Sequence, residues 1–137
     1  DPATKLGTFC TMPAIKGHKV RNFFCETIAT WLLVLVILVF GLDSNVPTID
    51  AEGYHLHIGM GELGAIPVTC LIMAIGMSLG GTTGYAINPA RDLAPRLAHA
   101  ILPIKGKGES GWAYSWVPVA GPMAGAVLAA LTYMVLF

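Results

Sequence analysis

The sequence predicts an all-α membrane protein with three membrane-spanning helices and one half-helix that enters the bilayer part-way. Three observations predict it. Of the 137 residues, 55% are hydrophobic and only 12% charged, and the mean hydropathy is +0.68, whereas a soluble domain carries about 25% charged residues. Three apolar runs each approach the ~20 residues that cross ~30 Å of hydrocarbon. Between the second and third lies a segment opened by Asn88-Pro89 that is too short and too charged to cross.

Taken in order, residues 1–21 read as a loop, with no basic region leading into an apolar one and hence no signal peptide. The start at Asp1 is expected to lie within a longer protein. The first span covers 22–41, where an apolar run over 23–40 is broken only by Glu26 and a few threonines. Asp43, Ser44, Asn45 and Pro47 end it, and 42–61, with Asp50, Glu52, His55 and His57, is a polar loop. The second span covers 62–80, closed by the breaker cluster Gly80, Gly81 and Gly84. Residues 81–102 form the re-entrant loop and half-helix, and 103–111 a turn-rich connector. The third span covers 112–137, with Trp112, Tyr114 and Trp116 as interfacial anchors. Gly76 and Gly80, and then Gly121, Gly125 and Ala129, recur every four residues, which puts small residues on one helix face and lets backbones approach. No internal repeat stands out.

The chemistry concentrates at 84–92, Gly-Tyr-Ala-Ile-Asn-Pro-Ala-Arg-Asp. Asn88 is a strong N-cap and Pro89 suits the first helical position, where its missing N–H would have had no partner. About ten residues at 1.5 Å each reach ~15 Å, half the hydrocarbon thickness. Irregular backbone such as 80–87 is tolerated at that depth only where it is buried in protein or lines a watery cavity. The half-helix N-terminus carries roughly +0.5 of a charge aimed into the bilayer, and the neutral Asn88 amide adds donors without inviting cations. Arg91, one turn along, costs about 2.5–3.5 kcal/mol at a membrane helix centre, which points to a function. Asp92 and Arg96 are i and i+4 and read as a helix-stabilising ion pair.

Asn88-Pro89-Ala90-Arg91, set after a glycine-rich re-entrant stretch and between two spans, resembles the signature of the aquaporin, or major intrinsic protein, family. The resemblance covers essentially the whole chain. It implies half of an inverted-repeat bundle, the second repeat, with 1–21 an extracellular loop and the half-helix meeting its counterpart from the absent first repeat at the midplane. It further implies the glycerol facilitator branch, through Asp92, Arg96, Pro118 and Val119. Gly76, Tyr85 and Arg91 match the selectivity-filter positions, and Tyr85 stands where many glycerol channels have Phe. Ile72 and Ile87 are expected to line the apolar pore wall. Glu26 matches a buried acid that accepts hydrogen bonds from the re-entrant loop. The implied activity is passive diffusion of glycerol, small polyols and some water, with exclusion of ions and protons. Complete channels are expected as homotetramers in the lipid of the plasma membrane, with no cofactor or metal. A dipole-and-arginine mechanism of selectivity follows from the same resemblance.

Other readings are weaker. Eight basic and eight acidic residues cancel, which leaves no field to attract nucleic acid. Cys10, Cys25 and Cys70 have no metal or disulfide spacing and read as apolar fillers. His55-x-His57 with Glu52 and Glu62 has no third ligand at a diagnostic spacing, so a metalloenzyme is not expected. An ion-coupled carrier also uses broken helices, but Asp92 has basic neighbours. A water-selective channel is the nearest alternative, and a non-conducting assembly fragment a further one. Lys5, Lys16, Lys19, Arg21, Lys105 and Lys107 lie in segments the resemblance places outside, while 43–62 has no Lys or Arg. That opposes the positive-inside pattern, so this half alone does not set the orientation.

Overall fold

The structure, a computed structural model, describes residues 1–41, 47–49, 55–57 and 61–137. Its helices are α1 (Pro2–Gly7), α2 (Lys19–Phe40), α3 (Ala65–Thr83), α4 (Pro89–Ile101) and α5 (Trp116–Leu136). Three of them, α2, α3 and α5, are long and apolar enough to cross a membrane. At 1.5 Å per residue they span about 28–33 Å. The all-α membrane fold class is borne out.

Local differences have physical causes. Within the N-terminal loop, Asp1 caps α1 by accepting from the Ala3 N–H at 3.1 Å, with Pro2 in the first turn. Inside the polar loop, Pro47–Ile49 pairs antiparallel with His55–His57 as a short hairpin, β1 and β2. The structure does not describe Glu52 or the side chains of His55, His57 and Glu62, so that ligand set lies outside the described residues. A 3-10 turn, Gly61–Gly64, leads into α3. The expected break at Gly80 and Gly81 does not occur: α3 runs on to Thr83 and stops at Gly84, whose φ of +78° only glycine adopts without strain.

α2 and α5 make the closest pairing. Phe23 stacks on Trp116 at 5.9 Å, Gly121 lies against Glu26, Gly125 against Thr27 and Thr30, and Trp31 Nε1 donates to Thr132 Oγ1 at 3.0 Å. Residue numbers rise together along both helices, so the two run parallel. α3 runs the other way, since Thr82 near its C-terminus accepts from the Ala14 N–H, just before α2 begins. Ala29, Leu33, Ile75 and Ile87 form the core between α2, α3 and the re-entrant loop. Met73 and Met77 on α3, at 60% and 75% exposure, face away from it. Trp112 and Trp116 are exposed, but Tyr114 is buried and is not an interfacial anchor. Cys10 is buried, and Cys70 is exposed on α3 rather than a filler. Burial pushes the Cys10 thiol above its ordinary pKa, against the opposing pull of Arg96.

Candidate functional site

The re-entrant loop, 84–88, is built from backbone that other residues hold in place. Tyr85 and Ile87 sit at φ of +40° and +44°, a region that costs a non-glycine residue about 1–3 kcal/mol. Glu26, itself buried in α2, offsets that cost: Oε1 accepts from the Ala86 N–H at 2.9 Å and Oε2 from the Ile87 N–H at 2.8 Å. Two donors that would otherwise be orphaned inside the protein are thereby paired. Ala86 is fully buried beside them.

Asn88 then opens α4. Its Oδ1 accepts from the Ala90 N–H at 2.9 Å, and Pro89 follows in the first turn. Capping uses the oxygen, so the Asn88 amide N–H groups remain as donors on an exposed face shared with Ala90 and Arg91. Arg91 folds back over the loop. Its Nη1 donates to Tyr85 O at 3.0 Å and Gly84 O at 3.4 Å, and its Cζ lies 5.0 Å from the Tyr85 ring centroid. A cation over an aromatic face is attracted by the ring quadrupole. Among the described residues, only Nη1 of Arg91 is engaged in hydrogen bonds, which leaves Nε and Nη2 as donors. Two open cavities flank the pair. One, of about 580 Å³, is lined by residues 7–12, Gly84, Arg91 and Pro95. The other, of about 430 Å³, is lined by Thr69, Ile72, Met73, Gly76, Met77 and Tyr85.

The opposite face of α4 is a buried polar clasp. Asp92, Arg96 and His99 are all inaccessible. Arg96 meets Asp92 through two bonds, Nε to Oδ2 at 2.8 Å and Nη2 to Oδ1 at 2.9 Å, and also donates to the carbonyls of Thr11, Ser110 and Gly111. Asp92 accepts from both the N–H and the hydroxyl of Thr11. His99 Nδ1 lies 2.9 Å from Ser110 Oγ, and its ring meets Phe9 edge-on at 5.3 Å. The pair therefore does more than stabilise its own helix: it ties the N-terminal segment and the 103–111 connector onto α4. Sequence reasoning missed Thr11, His99 and Ser110, although the polar i, i+4, i+7 spacing of 92, 96 and 99 marks that face.

Other site residues fall in different surroundings. Ile72 lines the open groove, while the Ile87 side chain is buried in the core with Ala29, Leu33 and Ile75 and does not line it. Gly76 does border the groove, but the space beside it is filled by the Tyr85 ring, 3.2 Å from where a Cβ would stand. Pro118 is buried in the first turn of α5 and Val119 is half-buried there. No group of three potential metal ligands occurs among the described residues.

Comparison with known proteins bears on this arrangement. The family model described as "Major intrinsic protein" matches residues 1–133. The glycerol uptake facilitator protein of Bacillus subtilis is 50% identical over all 137 residues, which cover 44% of that relative. The probable glycerol uptake facilitator protein of Thermotoga maritima is 47% identical over the full chain and 52% of its own length. The X-ray structure of the aquaglyceroporin from Plasmodium falciparum superposes with a TM-score of 0.65 at 32% identity, over 93% of this chain and 49% of that one. The chain thus spans about half the length of the curated relatives it matches. A family match across nearly every residue, joined to a half-helix opened by Asn88-Pro89-Ala90-Arg91, means that the chain belongs to the major intrinsic protein family.

Proposed function

We propose that the chain is the second repeat of a passive channel for glycerol and other small uncharged solutes, with some water, that excludes ions and protons in the plasma membrane. The observation that carries this reading is the Arg91–Tyr85 pair standing between two open cavities. Arg91 has donors left for solute hydroxyls, and the Tyr85 ring offers an apolar face to the C–H side of a polyol. The cationic side chain and the half-helix N-terminus both repel cations. Asn88 adds neutral donors further in, so a solute exchanges its hydration for fixed donors without meeting a carboxylate: Glu26 and Asp92 are both buried and fully occupied. Relatives named as glycerol uptake facilitators favour glycerol over water as the principal solute.

The first repeat is the proposed partner, covering the exposed face of α3 and completing the wall opposite Asn88. Complete channels would then assemble as homotetramers. Stopped-flow light scattering on proteoliposomes tests the solute: glycerol flux well above that of empty vesicles is expected. Water flux with no glycerol flux would replace this reading with a water-selective channel.

A further inference from the structure

We propose that Gly80 is a positioning residue for the filter: the side chain missing at 80 is the seat of the Tyr85 ring, and its absence sets how far that ring stands into the pore. The inference rests on the filter reading above. Glycine inside a helix is less favourable than alanine, yet α3 continues unbroken through Gly80 and ends only at Thr83. A Cβ at 80 would lie 2.5 Å from Tyr85 Cδ1, 3.1 Å from Cε1 and 3.4 Å from Cγ. At Gly76 the same atom would meet Cζ at 3.2 Å and Cε2 at 3.3 Å. The root of the ring thus lies on Gly80 and its hydroxyl end on Gly76. Gly81, next in the helix, has nothing within 4 Å of the corresponding point. Within this chain, the absence of a side chain is spatially required at 80 and not at 81.

The ring cannot answer a methyl group at 80 by moving its backbone. Tyr85 is fixed at a positive φ, its N–H donates to Thr83 Oγ1 at 3.3 Å, its carbonyl accepts from Arg91, and the next two N–H groups are held by Glu26. What remains free is rotation about the side-chain bonds, which carries the ring off α3 towards the open groove and Arg91. Gly80→Ala is therefore expected to narrow the constriction while the fold persists, whereas Gly81→Ala, the same chemical change one residue on, leaves it as it was.

The test is solute flux through the complete channel containing this chain, for water, glycerol and a four-carbon polyol, in four variants: Gly80→Ala, Gly81→Ala, Tyr85→Ala and the Gly80→Ala/Tyr85→Ala double variant. Gly80→Ala should lower four-carbon flux several-fold relative to water, and Gly81→Ala should match the parent. The double variant should match Tyr85→Ala alone, because without the ring the methyl group has nothing to displace. If Tyr85→Ala changes selectivity but Gly80→Ala behaves like Gly81→Ala, the seat is overturned and the filter reading stands. If Tyr85→Ala changes nothing, the filter reading fails and the seat fails with it. Should Gly80→Ala fail to fold, the double variant must restore folding; a double variant that also fails overturns the inference.

Discussion

Gly121 and Gly125 on α5 share their four-residue spacing with Gly76 and Gly80 on α3, yet the two pairs meet different neighbours. A Cβ at Gly125 would run into the Thr27 carbonyl oxygen and lie 2.9 Å from the Trp31 nitrogen, and one at Gly121 would meet Glu26 Cβ at 2.7 Å. That pair admits a helix backbone. The α3 pair admits one aromatic ring, that of Tyr85. A small-residue spacing therefore says only that something comes close; what comes close decides what a substitution damages.

Glu26 joins the two regions, because its Cβ lies under Gly121 while its carboxylate holds the loop that carries Tyr85. Glu26→Ala should therefore have the largest effect, since it orphans two buried N–H groups at about 1–3 kcal/mol each. A large drop in thermal midpoint in detergent together with loss of solute flux is expected, and Glu26→Gln, which keeps one acceptor, should lose less. Equal loss in both variants would mean that the two-acceptor geometry is unimportant. Gly125→Ala comes next, affecting the α2–α5 pairing alone. Overpacking typically costs about 1–3 kcal/mol, and backbone atoms cannot rotate aside, so the upper end is expected in a melting experiment, with the selectivity of surviving channels unchanged. A selectivity shift there would erase the contrast between the pairs. Arg91→Ala should have the smallest effect on stability, because the side chain is exposed and its partners are carbonyls beside solvent. It sharpens the comparison from the filter side. Solute flux should persist while proton leak under an imposed potential rises, and an unchanged leak would assign Arg91 to structure alone.

Much of the architecture was legible because the bilayer imposes length and composition on its spans, so apolar runs near ~20 residues define the helices with few alternatives. The half-helix start was equally legible, since Asn88 and Pro89 each carry a local capping signal that needs no tertiary information. Interior contacts between distant segments were not. Gly80 and Gly81 look like breakers in sequence, but tolerance of glycine in a helix depends on neighbours, and only Gly84 adopts a conformation that ends one. The same limit hid Thr11 and Ser110, whose role exists only because α4 runs back past them. Tyr114 read as an interfacial aromatic because its position before the span is all that sequence shows; its burial comes from tertiary packing.

On the proposed reading, this half supplies filter and half-helix but forms a sealed path only when the face of α3 and the donors at Asn88 are covered by a first repeat. Backbone carbonyls and amide donors facing lipid cost several kcal/mol each. The most direct measurement is stopped-flow glycerol flux in proteoliposomes holding the 137-residue chain alone, beside vesicles holding it co-assembled with the first-repeat half of the Bacillus subtilis relative. Flux indistinguishable from empty vesicles is expected for the chain alone, and clear glycerol flux for the pair. A monomer of this chain that conducts glycerol by itself would contradict it.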